Sequence, residues 1–157
     1  MILRFAGLDD LPALDRLENE CFDSPRFPLP VLVDFILADG AYVLIAFTEP
    51  PGYRNTVMGA IMFVVQNKEE GKVGRIASLA VLKEFRKQGL GRRMMSEAEA
   101  VIHQAGARRV YLEVAVNNSA AISLYKSCGY VITERLEHYY GLNEHAHRME
   151  RQLPENK

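Results

Sequence analysis

The chain has 157 residues, 48% apolar and 25% charged, and its 19 lysines and arginines nearly balance 20 aspartates and glutamates for a net charge of −1. This is the composition of one folded domain with a single core, and it excludes a disordered, collagen-like or membrane-embedded chain. Apolar runs such as Met58 to Val65, broken only by Gly59, fall well short of the ~20 residues that cross a bilayer, and the balanced charge carries no overall signature for nucleic acid or anionic lipid. The N-terminus has no basic start followed by an apolar stretch and a cleavage site, so a cytoplasmic location is expected. Cys21 and Cys128 match no CxxC pattern and read as two reduced, buried thiols.

Residues 2 to 6 predict a first strand, and Asp9 or Asp10 caps a helix that has Pro12 in its first turn and Leu11, Leu14, Leu17 and Cys21 on one face. The prolines between Asp23 and Pro30 stop it in an irregular loop, and a second helix is expected from Val31 to Ala38, closed by Gly40. Tyr42 to Phe47, Val57 to Val65 and Lys72 to Leu82 are rich in β-branched residues and read as an antiparallel meander, turning at Pro50-Pro51-Gly52 and at Asn67 to Gly71. A helix follows from Gly91 to Gly106, with Met94, Ala98, Val101, Ile102 and Ala105 at helical spacing. Val110 to Val116 is the next strand. Ala121, Leu124, Tyr125 and Cys128 mark a short helix ending at Gly129, and Tyr130 to Arg135 and Ala146 to Leu153 are the final strands. Without repeat or linker, residues 1–157 read as one mixed α/β domain.

The most informative segment runs from a strand through a turn holding Gly89 and Gly91 into a helix, with Lys83, Arg86, Lys87, Arg92 and Arg93 around it and only Glu84 opposing. Glycines allow close backbone approach, and the free N–H groups and dipole of a helix start favour phosphate. A P-loop is excluded, because Gly89 is followed by Leu-Gly-Arg-Arg-Met-Met rather than GK[ST], and a dinucleotide fingerprint lacks its third glycine at Met94. The pattern that remains, Arg86-x-x-Gly89-x-Gly91, resembles the cofactor loop of the GCN5-related N-acetyltransferases. A second block, Asn118-Ser-Ala-Ala-Ile-Ser-Leu-Tyr125-Lys-Ser-Cys-Gly129-Tyr130, is similar to the N-x-x-A-x-x-L-Y-x-x-x-G-F/Y signature of the same family.

The resemblance implies the family's fold, a central, mostly antiparallel mixed sheet of about six to seven strands flanked by about four helices. It implies acetyl-CoA as cosubstrate, held by Leu79, Ala80 and Val81, by the run Arg86, Lys87, Gln88, Gly89, Leu90, Gly91 and Arg92, and by Asn118 and Tyr125. Glu113 and Tyr125, twelve positions apart, match the general base and general acid of RimI-type ribosomal-protein-alanine N-acetyltransferases. Arg135-x-x-x-Tyr139-Tyr140 looks like the segment whose tyrosines line the peptide entrance of N-terminal acetyltransferases, with Phe22 on the acceptor side as well. Ala115, Asn117 and the residues after Tyr140 depart from the RimI pattern, so cofactor and reaction are better supported than the acceptor.

The residues support the same chemistry. Alternation puts Tyr111, Glu113 and Ala115 on one strand face, so Glu113 faces a cleft and draws a proton from the amine through water; the structural alternative is an ion pair to Arg108 or Arg135. Tyr125, a phenol of pKa ~10, suits protonation of a departing thiolate; the alternative is a core aromatic, as it is for Tyr139 and Tyr140. At pH 7 an α-amine is neutral in roughly 10% of molecules and lysine in roughly 0.04%, which favours a protein N-terminus, a ribosomal protein among the candidates. Small amines, polyamines and lysine side chains are alternatives, as is a non-catalytic acyl-CoA-binding module. Direct attack in a ternary complex is expected, with Cys128 only packing. His103, His138, His145 and His147 read as surface histidines, so no metal is expected, and neither a nucleic-acid nor a membrane partner.

Overall fold

Near-continuous apolar runs in the central strands, Val43 to Phe47 and Val57 to Val65, demand cover on both sheet faces, and the helices supply it. The computed structural model describes residues 1–23, 26–48 and 56–155. Along it run β1 (Ile2–Phe5), α1 (Leu11–Cys21), α2 (Leu29–Leu37), β2 (Ala41–Phe47), β3 (Val57–Lys68), β4 (Gly71–Val81), α3 (Leu90–Gln104), β5 (Arg109–Ala115), α4 (Ser119–Ser127), β6 (Val131–Gly141) and β7 (Glu144–Gln152). The strands form one seven-stranded sheet in the order β1-β2-β3-β4-β5-β7-β6. Every neighbouring pair is antiparallel except β4 and β5. The fold expected from the resemblance is therefore the fold observed.

Val43 and Ile45 of β2 face α1 and α2 and pack with Leu14, Leu17 and Leu32, while Leu44 and Ala46 face α3 and pack with Met94, Ala98 and Ile102. Two glycines let elements approach: a Cβ on Gly59 would lie 2.5 Å from the Ala80 carbonyl oxygen, and one on Gly74 2.5 Å from Cγ2 of Ile102. In β4, Ser78 pairs with Met62 but Ile76 with Phe63, so Ala77 is an extra residue. That bulge resets the alternation and brings Arg75 and Ser78, three positions apart, to the α1 side of the sheet.

Several expectations are corrected. Asp10 holds the N-cap position of α1 as expected but makes no side-chain capping bond there; it ends a 3₁₀ turn, Leu8–Asp10, and its carboxylate accepts from the Gly7 N–H at 2.8 Å and from the Arg4 guanidinium at 2.8 and 3.0 Å. α2 starts two residues early, since Pro30 fits a first helical turn. β3 runs on to Lys68, leaving only Glu69 and Glu70 to turn. β6 extends through Tyr139 and Tyr140 instead of stopping at Arg135, because two imidazoles supply acceptors where its register shifts: His145 Nδ1 takes the His138 N–H and His138 Nδ1 the Asn143 N–H, each at 2.9 Å. Both cysteines are free but only half-buried, and His103, His145 and His147 are half-buried rather than surface groups. The turn at Pro50-Pro51-Gly52 lies outside the described residues, as do Ser24 and Pro25. No helix among the described residues is long and apolar enough to cross a membrane.

The close approach at Gly59 gives a direct test. Gly59→Ala should cost about 1–3 kcal/mol by overpacking against backbone, whereas Gly7→Ala, with nothing within 4 Å of the added carbon, should stay within ~0.5 kcal/mol. Urea denaturation midpoints of the two variants check this.

Candidate active site

β4 and β5 pair only at Gly74 with Val110 and at Arg75 with Tyr111. Beyond that point the strands part, and a cleft of about 1180 Å³ opens, lined by Glu18, Phe22, Ser78, Leu79, Glu113, Asn118, Tyr125, Tyr139 and Tyr140 among others. The Leu82 N–H bonds to the Met58 carbonyl at 3.0 Å. Antiparallel alternation then turns the N–H and C=O of Leu79 and Val81 away from β3 and into the divergence, while Ala80 spends its own in the sheet. The Val81 carbonyl accepts from Arg86 Nε at 2.7 Å.

The basic loop continues from the end of β4, beyond the cleft lining. Lys87 and Gly89 both adopt left-handed conformations, with φ of 60° and 83°, and a Cβ on Gly89 would meet nothing within 4 Å. The Arg93 N–H closes the first turn of α3 on the Gly89 carbonyl at 3.0 Å, so the N–H groups of Leu90, Gly91 and Arg92 have no intrahelical partner. Gly91 answers a packing need, since a Cβ there would come within 3.0 Å of Leu124 in α4. The side chain of Leu90 is in the core. Gln88 Nε2 donates to the Glu84 carbonyl at 3.1 Å, and Arg92 Nη1 to the Ser127 carbonyl at 3.4 Å. What the loop presents outward is backbone N–H groups and the exposed cations Lys83, Lys87 and Arg93.

Glu113 lies on the cleft-facing side of β5, its side chain 5% exposed, opposite buried Val110, Leu112 and Val114. Its ion-pair partners are neither Arg108 nor Arg135. Arg75 Nε reaches Oε2 at 3.1 Å and Arg148 Nη2 reaches Oε1 at 3.4 Å, and Arg148 also holds Glu134 at 3.1 Å. Burial works against the charge on Arg75, but Glu113 outweighs it and the guanidinium stays above its ordinary range. Tyr125 is buried, and burial, with Tyr140 and Cys128 adding, pushes its phenol well above the usual tyrosine value. Tyr140 is pushed up to about 12 by burial, then by Tyr139 and Glu113. Tyr139 and Tyr140 meet edge-on with ring centroids 4.9 Å apart. Asn118 caps α4, its Oδ1 accepting the Ala121 N–H at 3.2 Å.

The sequence reading missed Glu18. It is 4% exposed on α1, accepting the Phe27 N–H at 3.0 Å on Oε2 and the Ser78 hydroxyl at 3.4 Å on Oε1, and burial raises its pKa. Its position four after Leu14 and three before Cys21 places it on the apolar stripe, which was the available signal. Glu137, His138 and His145 bring ligand atoms within 4.8 Å of one another, but the Nδ1 of each histidine already accepts a backbone N–H of the hairpin.

Residues 11–130 match the acetyltransferase (GNAT) family. An N-alpha-acetyltransferase of Sulfolobus acidocaldarius is 32% identical over 154 residues, covering 94% of this chain and 89% of that protein. One from Sulfurisphaera tokodaii is 39% identical over 79 residues, 50% of this chain, and the match spans about half (47%) of that relative's length. Among solved structures, Arabidopsis thaliana NAA60 in complex with acetyl-CoA superposes with a TM-score of 0.83 at 21% identity, covering 96% and 97% of the two chains. The ribosomal-protein-S18-alanine N-acetyltransferase from Escherichia coli gives 0.79 at 19%, covering 99% and 96%. At those identities the likeness is one of fold.

The double ion pair on Glu113 is testable by stability. Arg75→Met should cost about 2 kcal/mol, less than the roughly 3–5 kcal/mol of a fully buried pair because the guanidinium is 29% exposed. Adding Glu113→Leu should recover most of the loss. A denaturant midpoint unchanged in the single variant would mean that Arg148 alone suffices.

Proposed function

The chain belongs to the acetyltransferase (GNAT) family, and from that premise we propose that it transfers the acetyl group of acetyl-CoA directly to the N-terminal α-amine of a protein. The observation that carries this reading is the meeting of Leu79, Glu113 and Tyr125 in one cleft where two strands part. Acetyl-CoA would supply an activated thioester with a thiol leaving group. The loop fits its pyrophosphate: an open left-handed Gly89, three N–H groups without helical partners and exposed cations are what a phosphate needs.

The remaining work falls to side chains. The inward-turned amides of Leu79 and Val81 align the pantetheine arm and polarise the acetyl carbonyl. Glu113, held in place by Arg75 and Arg148, takes the amine proton through water. Tyr125 donates to the departing thiolate. Its raised pKa keeps it protonated, and therefore a donor, across the working pH range. Phe22, Tyr139 and Tyr140 border the entrance through which an extended acceptor chain would reach the cleft. The lining carries the carboxylates Glu18, Asp23, Glu113 and Glu144 against the guanidiniums Arg26 and Arg75, a balance that draws in an amine.

CoA release with peptides bearing free N-termini, beside N-blocked lysine peptides and spermidine, tests the reading. Turnover is expected with the free α-amines; turnover only with lysine or spermidine would move the acceptor class, and none at all would leave a binding module. Tyr125→Phe should lower kcat about a hundredfold with little change in the KM for acetyl-CoA; an unchanged kcat would remove Tyr125 from the acid role. Because burial raises the phenol, the rate should show no fall as pH rises through the ordinary tyrosine value of ~10, and a decline there that vanishes in Tyr125→Phe would contradict the assignment.

A further inference from the structure

Two buried carboxylates line the cleft, and they are partnered in opposite ways. Glu113 has a guanidinium on each oxygen. Glu18 has neutral donors, the Phe27 N–H and the Ser78 hydroxyl, and among the described residues no ion pair reaches it. Arg26, exposed on the same rim, acts on it only through space, and Asp15 opposes that effect. A neutral side chain of the same shape could make both hydrogen bonds, so joining α1 to β4 does not require the charge. A buried carboxylate without a cation is costly, and a charge kept at such a place calls for a cation that arrives from outside.

We propose that Glu18 is the counter-ion for the acceptor's ammonium group, a binding role that rests on the amine-acceptor reading above. Its two partners place it between donor and acceptor. Ser78 directly precedes Leu79, whose amide faces the strand divergence, and Phe27 borders the cleft together with Phe22. The bulge at Ala77 turns Ser78 to this side of the sheet. Each carboxylate oxygen accepts one hydrogen bond from the protein and keeps a further lone pair, while an ammonium has three donors. The ion pair selects a cationic amine over the hydroxyl or blocked terminus of the same chain and sets it beside the acetyl carbonyl, and deprotonation by way of Glu113 follows.

The test is equilibrium binding to the full chain saturated with CoA, using a short free-N-terminal peptide and the same peptide with its terminal amine replaced by hydroxyl, in wild type and in Glu18→Gln. Glutamine keeps the shape, accepts the Phe27 N–H on its oxygen and donates its amide to the Ser78 hydroxyl, so both contacts survive, the second reversed in direction, while the charge is removed. Wild type should bind the amine about tenfold or more tighter than the hydroxyl analogue, and Glu18→Gln should bring that ratio to near one, with CoA affinity and thermal midpoint no lower than wild type. An amine-to-hydroxyl ratio that is the same in both proteins would overturn the proposal, as would a variant that loses CoA affinity and thermal midpoint together. Because the readout is binding, it stands apart from turnover. A protein that binds amines through Glu18 yet acetylates only lysine or a small amine would refute the N-terminal reading alone, and the same ratio on that amine would still judge Glu18.

Discussion

Two residue pairs join β4 to β5 before the strands separate, and everything distinctive about the molecule follows from that short parallel contact. The antiparallel neighbours pair over longer stretches, with register shifts in β2–β3, β3–β4 and β6–β7. Past Arg75, β4 has a partner only on its β3 side, and the backbone groups of Leu79 and Val81 face a gap. Arg86 folds back to occupy the Val81 carbonyl, leaving N–H groups for a ligand. The same parting lets α4 bring Tyr125 and β5 bring Glu113 to one space, and it points the start of α3 with its basic loop toward the end of β4.

Charge within the cleft is divided between carboxylates with different surroundings. Glu113 is fixed from both sides by arginines of the adjoining strands. Glu18 is fixed by neutral donors, and burial raises its pKa with only Arg26, through space, acting as a cation against it. The phenols of Tyr125 and Tyr140 are raised by burial, with Tyr140 adding to the effect on Tyr125 and Tyr139 to that on Tyr140, so they act as hydrogen-bond donors. A cleft with more carboxylates than guanidiniums lies beside a loop of the opposite sign, so the two charges are held apart within one small domain.

The glycine loop from Arg86 to Gly91 and the block from Asn118 to Tyr130 were legible in the sequence because each is set by local backbone geometry, and local geometry leaves a contiguous pattern. The facing of Glu113 followed from strand alternation alone. Its partners did not: Arg75 and Arg148 lie 38 and 35 positions away, and cross-strand register is a tertiary fact. Glu18 was hidden by its type, a carboxylate on an apolar helix face whose burial depends on the loop and strand that cover it. The bulge at Ala77 leaves no glycine or proline to mark it. β6 outran its expected end because imidazoles of its own hairpin supplied the missing acceptors, a device visible only once the strands are paired.

The claim on which these arguments converge is that donor and acceptor meet in one cleft and react directly. Initial velocities measured with acetyl-CoA and a free-N-terminal peptide varied together test it most directly. Intersecting reciprocal plots are the result expected for a ternary complex. Parallel lines, with acetyl recovered on Cys21 or Cys128 after incubation without peptide, would mean a covalent acetyl-enzyme and would contradict it.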